Sequence, residues 1–269
     1  MTSYNREKYI GEAIESVLSS TYENFELIIV DDQSRDKTVD IARSYEAKDP
    51  RICVYINERN LGDYANRNQA ASLANGKYLK YVDSDDYIFS NTLETMVSLM
   101  EEYPDAAFGV SSRTEDKTKY FSPSEAYHCH FFQRGLLDYG PTGTIIRRDI
   151  FEAAGRFKTI RNVSDFDLWL RLALKYGVVE MPKGLVFWRQ HEGQEINIAP
   201  EYYLEYSLPI IKEALNHKDC PLKKEEIGVV LSRWKKDTAR TVVKGVLRGK
   251  IGAGYKLWKR HELTFADLF

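Results

Sequence analysis

Three aspartates occupy four consecutive positions in the segment KYLKYVDSDDYIFSN, at Asp83, Asp85 and Asp86. Like charges at this spacing repel one another, so the segment is either a solvated turn or the binding site of a positive group. In an extended chain, residues i and i+2 project to one side, which would direct Asp83 and Asp85 toward a common ligand. Carboxylate oxygens suit Mg²⁺ or Mn²⁺, which bind one or two protein carboxylates together with substrate phosphates. The alternative is that these acids only end a strand before a helix that Ser90 or Asn91 would cap.

The elements that position these acids can be predicted from the apolar pattern. Continuous apolar runs, LIIV and ICVYI, are typical of strands buried on both faces, and each ends in polar residues, VDDQS and INERNLG. Helical patterns follow over 37–47, 64–74 and around Leu93 to Met100. Strands alternating with helices predict an α/β fold with a mainly parallel, doubly wound sheet. Since ligands bind beyond the carboxyl ends of such strands, we expect Asp31 and Asp32 on the same rim as the three later aspartates.

Composition excludes several classes of protein. The chain has 269 residues, 43% of them apolar, and a net charge of -2, which argues against a general nucleic-acid binder. Its cysteines, Cys53, Cys129 and Cys220, form no CxxC pair, so neither a disulfide framework nor a zinc site is indicated. No apolar run approaches the roughly 18 residues needed to span a bilayer, and the N-terminus lacks a signal-peptide core. These features lead us to expect a cytoplasmic protein.

Several motifs occur in order: T-S-Y-N, V-D-D-x-S-x-D-x-T, N-x-G-x-x-x-x-R-N, G-x-Y-L and D-S-D-D, followed by D-x-x-L-W-L-R in SDFDLWLRLALKYG. In this order and spacing, over about residues 1–192, the sequence resembles the family 2 glycosyltransferases, inverting enzymes with the GT-A fold. The resemblance implies a nucleotide-sugar-binding half over 1–110 and an acceptor-binding half over 111–199. A C-terminal helical extension would cover 200–269.

The resemblance also implies roles for individual residues. The nucleobase pocket would be formed by Thr2, Tyr4 and Asp32, whose carboxylate would accept from uracil and favour UDP. The residues implied in binding the nucleotide sugar are Thr2, Tyr4, Asp32, Asn60, Gly62, Arg67, Asp83 and Arg189. The residues implied in holding Mn²⁺ or Mg²⁺ are Asp85, Asp86 and His191. The alternatives are a solvated helix face for Arg67 and a purely structural role for His191.

One helix supplies the candidate base. An apolar stripe through Leu168, Trp169 and Leu172 places Asp165 in the first helical turn. Asp165 matches the catalytic position of the family, although Ser164 stands where a glutamate usually precedes it. The alternative is a helix-terminal acid stabilised by the macrodipole. Asp167 is the second candidate for the base.

The function that the resemblance implies is metal-dependent, inverting transfer of a sugar from a nucleoside diphosphate to a hydroxyl. The donor would be a UDP-sugar and the acceptor a glycan or lipid-linked sugar in surface polysaccharide synthesis. Two other readings are a catalytically impaired nucleotide-sugar-binding module and a sugar nucleotidyltransferase, although the Gly-rich phosphate loop of the latter is absent. In the family a strand precedes the T-S-Y-N turn, whereas here Met1 alone precedes it. We therefore expect an incomplete or otherwise compensated sheet edge.

The C-terminal region is basic. Residues 233–260 contain ten Lys or Arg and one acid, Asp237, interleaved with apolar and aromatic residues such as Trp234, Leu247 and Tyr255. Such a segment suits a peripheral membrane helix attracted to anionic lipid. It would place the protein on the inner face of the cell membrane, close to a lipid-linked acceptor. A helical cap with a solvated basic face is the alternative.

Overall fold

The computed structural model describes residues 1–160, 162–191 and 200–268. The strands are β1 Thr2–Ser3, β2 Leu27–Asp31, β3 Ile52–Ile56, β4 Tyr78–Lys80, β5 Tyr87–Ile88, β6 Ala106–Ser111, β7 Lys119–Phe121, β8 Thr144–Arg147, β9 Gly177–Met181 and β10 Val186–Phe187. The α-helices are α1 Ile10–Leu18, α2 Thr38–Glu46, α3 Asp63–Leu73, α4 Thr92–Glu102, α5 Pro123–His128, α6 Arg148–Ala153, α7 Ser164–Ala173, α8 Pro200–Leu215, α9 Lys224–Leu247 and α10 Ile251–Arg260. A π-helix over Cys129–Arg134 follows α5.

The strands form two larger sheets that meet at one point. The first has the order β1-β2-β3 and is parallel, and the second has the order β4-β8-β6-β9-β7. An isolated parallel bridge between Thr2 and Asp83 joins them. The predicted α/β fold is confirmed, and the parallel order holds in the first half of the chain. In the second sheet only β6 and β9 are parallel, because β7 and β8 run antiparallel to their neighbours.

The expected incomplete edge lies beside β1, which has only two residues. The Met1 ammonium group donates to the Ile28 carbonyl at 2.7 Å, and Val30 N donates to the Met1 carbonyl at 3.0 Å. Burial lowers the pKa of this amine to about 5. A cavity of about 610 Å³ opens next to it, lined by residues of β2 and β4 that include Leu27 and Leu79. Met1 thus adds two backbone hydrogen bonds with β2, immediately before the first residue of β1.

The end of β2 separates its two aspartates. Asp31 is buried and fixes the local turn, since its carboxylate accepts from Ser3 Oγ at 2.9 Å and from Ser34 N at 2.7 Å. Asp32 instead turns toward the loop that follows β3. The sequence predicts five carboxylates on this rim. Four of them, Asp32, Asp83, Asp85 and Asp86, line a cleft there, whereas Asp31 hydrogen-bonds within the protein.

The second half of the chain packs around α7. Trp169 is fully buried, stacks on Phe108 with ring centres 5.0 Å apart, and donates from Nε1 to the Tyr139 carbonyl at 2.7 Å. The predicted boundary at position 110 falls inside β6, which pairs with β8 and β9, so the two proposed halves share one sheet. Helices α8 to α10 form the predicted C-terminal extension. No helix in the described parts of the chain is both long and apolar enough to cross a bilayer.

Candidate active site

A cleft of about 740 Å³ opens where the carboxyl ends of β1, β2 and β4 meet. All eight residues predicted to bind the nucleotide sugar line it: Thr2, Tyr4, Asp32, Asn60, Gly62, Arg67, Asp83 and Arg189. Asp85 and Asp86 line it as well. Its size is that of a typical small-molecule site. The fold therefore brings together, in one cleft, side chains that are up to 187 positions apart, from Thr2 to Arg189.

Asp32 organises the wall of the cleft between β3 and α3. Its buried carboxylate accepts from Leu61 N and Gly62 N, each at 2.8 Å, and from Asn57 Nδ2 at 2.7 Å. Asn60 Nδ2 donates in turn to the Asp32 carbonyl at 2.8 Å. Gly62 has a φ of 84°, which favours glycine, and its backbone leads directly into α3. This one carboxylate thus fixes the N-x-G loop in place.

Thr2 and Tyr4, at the end of β1, also line the cleft. Thr2 is buried between Val30 of β2 and the bridge to Asp83. Tyr4 is 45% exposed at the mouth of the cleft, so its ring has a free face. An aromatic face of this kind can stack on a nucleobase.

Arg67 is buried between two carboxylates and is not on a solvated helix face. Its Nε donates to Asp63 at 2.9 Å, one turn earlier on α3, and its Nη1 donates to Asp83 at 2.5 Å. The Arg67 side chain is only 8% exposed. Burial disfavours the charged form of Asp83, but Arg67 outweighs burial and holds the pKa of Asp83 below its usual range. The pair therefore keeps Asp83 ionised in the floor of the cleft.

Replacing Arg67 by methionine should destabilise the protein by about 3 kcal/mol, because it leaves the carboxylates of Asp63 and Asp83 uncompensated. Urea unfolding followed by circular dichroism measures this free energy. The matched control is Arg43→Met, since Arg43 pairs with Glu46 on the surface, and it should cost no more than about 1 kcal/mol. Equal losses in the two variants would contradict the structural role of the buried pair.

The D-S-D-D segment is a tight turn and not an extended chain. Asp86 N donates to the Asp83 carbonyl at 2.9 Å, which closes a four-residue turn. The expectation that Asp83 and Asp85 share a ligand through i and i+2 spacing is therefore wrong. Asp83 contacts Arg67, whereas Asp85 Oδ2 accepts from Arg6 Nε at 3.0 Å and lies 2.9 Å from His191 Nε2.

Asp85 and His191 are the two predicted metal-binding residues that the fold brings into contact. Both are largely buried, and the His191 ring packs against Tyr9 with centroids 4.9 Å apart. A carboxylate oxygen and an imidazole nitrogen are suitable donors for Mn²⁺, which takes its other ligands from water and phosphate. Within the described residues no group of three or more His, Cys, Asp or Glu side chains could hold a metal ion. The donor set therefore fits an ion that is completed by the phosphates of a substrate.

Asp86 and Arg189 lie beside this pair. Asp86 is buried and accepts from Arg189 N at 3.0 Å. Burial, together with the charges of Asp83 and Asp85, raises the pKa of Asp86 to about 7. Arg189 Nε donates to the Asp85 carbonyl at 2.9 Å, so two hydrogen bonds from Arg189 stabilise the D-S-D-D turn.

Asp165 lies in the first turn of α7, as predicted. Burial raises its pKa to about 6, against the lowering effects of hydrogen bonds from Phe166 N and Tyr64 and of the charge of Arg67. Tyr64 and Arg67 belong to α3, which lines the donor cleft, so Asp165 is connected to the cleft through this helix. A carboxylate with a pKa near 6 is suited to accept a proton close to neutral pH.

Asp167, the second candidate base, is engaged in the fold. Lys158 Nζ donates to its Oδ1 at 2.9 Å and Arg171 Nε to its Oδ2 at 2.7 Å. Its side chain is only 3% exposed. Ser164, which replaces the usual glutamate, accepts from Ile160 N at 2.9 Å. Of the two aspartates, only Asp165 retains an oxygen without a basic partner in the described chain.

Sequence reasoning missed several residues of the cleft, among them Arg6, Asp63, Arg113 and Trp188. Arg6 and Asp63 each lie within two positions of a residue that was predicted, so proximity to the motifs could have indicated them. Trp188 immediately precedes Arg189 in FWRQH. Arg113 follows the end of β6 with no motif around it, and only the folded chain places it in the cleft.

The comparisons with known proteins identify the family. The model of the family described as "Glycosyl transferase family 2" matches residues 1–160. An uncharacterized glycosyltransferase of Methanocaldococcus jannaschii, MJ1057, is 33% identical over 195 residues, covering 67% of this chain and 66% of its own. A putative teichuronic acid biosynthesis glycosyltransferase of Bacillus subtilis, TuaG, is 42% identical over 100 residues, covering 37% of this chain and 40% of its own. The chain thus spans less than two thirds of the length of these relatives.

Solved structures of similar fold extend over more of the chain. The crystal structure of S. aureus TarS 1-349 in complex with UDP-GlcNAc superposes with a TM-score of 0.70 at 23% identity, covering 87% of this chain and 69% of that one. The mannosyltransferase PcManGT from Pyrobaculum calidifontis, in complex with GDP-Man and Mn²⁺, gives 0.67 at 15% identity, covering 97% and 80%. These likenesses confirm the GT-A fold. With the family model matched over more than half of its length, the chain belongs to glycosyltransferase family 2.

Proposed function

We propose that the protein transfers a sugar from a UDP-sugar to a hydroxyl group of a glycan or lipid-linked acceptor, with inversion at the anomeric carbon. The observation that carries the proposal is the cleft that all eight predicted donor residues line, with Asp165 linked to it through Tyr64 and Arg67 of α3. TarS, a neighbour in fold, has been crystallised with UDP-GlcNAc, which supports a UDP-sugar as the donor. TuaG and the minor teichoic acid biosynthesis protein GgaB are similar to part of the chain, which supports a role in surface polysaccharide synthesis.

The division of labour follows from the contacts. Tyr4 would stack on the uracil, and the Asp32 carboxylate, held by the N-x-G loop, would accept from its N3-H. Asp83, kept ionised by Arg67, would orient the ribose or the donor sugar. Asp85 and His191 would hold Mn²⁺ or Mg²⁺, which when bound supplies a Lewis acid for the leaving diphosphate. The complex of PcManGT with Mn²⁺ supports the use of a divalent ion in this fold.

Asp165 would act as the base. The acceptor oxygen forms its bond to the anomeric carbon as the bond from that carbon to the diphosphate oxygen breaks on the opposite face. The hydroxyl proton passes to the Asp165 carboxylate. Asp165 is half-buried, and the partial desolvation of its carboxylate favours the neutral form after transfer, which assists proton uptake.

A thermal-shift screen tests the donor assignment. UDP, UDP-GlcNAc, UDP-glucose and GDP-mannose would be compared with 1 mM Mn²⁺ present, a concentration on the order of those at which such ions bind. A ligand that binds only the folded state raises its stability, so the UDP compounds should raise the melting temperature more than GDP-mannose. A larger shift with GDP-mannose would overturn the choice of UDP. Binding of UDP-sugars without any release of UDP would favour a binding module.

We further propose that the C-terminal helices contact the cytoplasmic face of the cell membrane. Part of the apolar surface of the basic segment is internal, since Val242 and Leu257 are buried between α9 and α10. The turn between these helices nevertheless exposes Leu247, Ile251 and Tyr255, which are 82%, 66% and 67% accessible. Residues 238–261 contain no Asp or Glu, so the segment that carries this apolar tip is basic. Such a combination favours the interface of an anionic membrane.

Replacing Leu247, Ile251 and Tyr255 together by serine should weaken binding to vesicles that contain phosphatidylglycerol by about tenfold or more, because apolar area no longer enters the interface. Vesicle sedimentation measures this loss. Val229→Ser is the matched control, since Val229 is 50% exposed at the start of α9, and its binding should equal that of the native protein. A triple variant that still binds like the native protein would exclude the tip as the contact.

A further inference from the structure

The cleft contains one cation whose counter-ion is missing from the described chain. Arg6, Arg67 and Arg189 each contact a carboxylate at 2.5 to 3.0 Å. Arg113 lines the same cleft, yet no Asp or Glu of the described residues lies within ion-pairing distance of it. In a site so rich in carboxylates, a guanidinium without one is available to an anion that enters from outside.

Arg113 is held in position by two aromatic rings and a carbonyl. Its guanidinium carbon lies 4.8 Å from the centre of the Tyr139 ring and 5.9 Å from that of Trp188. Its Nη2 donates to the Asp138 carbonyl at 2.9 Å. We call Arg113, Tyr139 and Trp188 the Arg113 shelf. Because the shelf is built from contacts within the protein, the guanidinium is oriented before any ligand arrives.

The Trp188 ring packs closely against the backbone at Gly143. A Cβ atom at Gly143 would come within 2.9 Å of Trp188 Cζ2, closer than such atoms approach one another. Gly140, in the same segment, lines the cleft. The Trp188 ring thus packs on the segment that contains both Gly140 and Gly143.

The chemistry of the shelf points to an anion joined to a sugar or polyol. Arginine stacked on aromatic rings keeps its charge and presents a planar fork that matches carboxylate and phosphate groups. The exposed guanidinium can reach solvent, so it can bind a charged group on a large acceptor. We infer that the Arg113 shelf is an acceptor subsite for a glycan or polyol that carries a phosphate or carboxylate near its reactive hydroxyl. This inference rests on the proposed function.

Direct binding of small probes to the UDP-loaded protein tests the subsite. Saturation-transfer NMR would compare glycerol 3-phosphate with glycerol and methyl glucuronide with methyl glucoside, each pair differing mainly in charge. The anionic member of a pair should bind about fivefold more tightly at low ionic strength. Arg113→Gln should remove this preference, and 0.5 M salt, on the order of a few times physiological ionic strength, should reduce it. The pair with the larger preference identifies phosphate or carboxylate as the group recognised.

Two controls separate this inference from the proposed function. Lys117→Gln removes an exposed charge from the same loop, outside the cleft, and should retain the preference. The affinity for UDP, measured by calorimetry, should change by less than about twofold in Arg113→Gln, since the contacts of Arg113 are with Tyr139, Trp188 and the Asp138 carbonyl and with none of the eight donor residues. Equal binding of charged and neutral probes by the native protein overturns the inference and leaves the proposed function intact. A comparable loss of UDP affinity in Arg113→Gln would instead assign Arg113 to the donor, and failure of the native chain to bind UDP would reject the proposed function.

Discussion

Replacing Asp165 by asparagine should lower the rate of sugar transfer by about 10²- to 10⁴-fold, the range that a positioned general base contributes. Asparagine has nearly the same shape but cannot take up the acceptor proton. Its amide can still hydrogen-bond to Tyr64, so the fold and the donor cleft should be preserved. UDP affinity should therefore be at least that of the native protein, since the neutral amide resembles the protonated carboxyl. Initial rates of UDP release in the presence of acceptor, together with calorimetric UDP binding, measure the two quantities.

The pH dependence provides an independent test of Asp165. Because burial raises its pKa to about 6, the carboxyl is largely protonated below that pH and cannot act as a base. The value of kcat/KM should therefore rise about tenfold per pH unit below 6 and level off above it. In Asp165→Asn this rise should disappear. A profile that is flat from pH 5 to 7, on the order of one unit either side of this pKa, would assign proton transfer to another group.

Asp167→Asn is the informative comparison. The Asp167 carboxylate contacts Lys158 and Arg171, so its loss should reduce the free energy of unfolding while leaving the pH profile of the remaining activity in place. If Asp167→Asn, in a folded protein, lost as much activity as Asp165→Asn and also lost the rise with pH, the two assignments would have to be exchanged.

Replacing Asp85 by alanine should weaken Mn²⁺ binding by at least about tenfold and lower kcat/KM by about 10²- to 10³-fold. Among the described residues, Asp85 is the carboxylate of the D-S-D-D turn that contacts His191, so under the proposed metal assignment its removal would leave His191 without its partner donor. Electron paramagnetic resonance of free Mn²⁺, titrated with protein and UDP, gives the affinity without any reference to turnover. His191→Ala should weaken it in the same direction.

Asp49→Ala is the matched control for this variant. Asp49 pairs with Arg51 at 2.7 Å on the surface after α2 and does not line the cleft, so neither Mn²⁺ binding nor activity should change. Undiminished Mn²⁺ binding in Asp85→Ala would exclude Asp85 as a ligand. If activity fell without any change in Mn²⁺ affinity, the effect would be attributed to the ion pair of Asp85 with Arg6.

Much of the cleft could be predicted from the sequence because its residues follow directly on strands. Apolar runs identify β2 and β3, and the ends of parallel strands gather at one rim, so the sequence predicts that Asp32 lies near Asp83. The first turn of α7 was likewise predicted from its apolar stripe. In these cases the local apolar pattern predicts both the type of element and the position at which it begins or ends.

The remainder depends on contacts that local sequence does not encode. The D-S-D-D segment closes into a turn, so its carboxylates diverge to Arg67 and to Arg6, although alternation in an extended chain would place Asp83 and Asp85 together. The partners of Asp85 are Arg6 and His191, which are 185 positions apart in the sequence. Only the folded chain brings them together. Arg113 was missed for the same reason, because its aromatic neighbours Tyr139 and Trp188 follow it by 26 and 75 positions.

Arg67 also couples the protonation of Asp165 to the binding of the donor. Its charge favours the ionised forms of both Asp83 and Asp165, which under the proposed function would serve the donor and the acceptor respectively. A donor phosphate bound close to Arg67 would offset part of its positive charge, so the pKa of Asp165 would rise when the donor binds. By thermodynamic linkage, protonation of Asp165 must then strengthen donor binding by the same free energy. Because Arg67 is shared, the pKa of Asp165 would depend on whether the nucleotide sugar is bound. The fraction of Asp165 that is able to accept a proton would change with it.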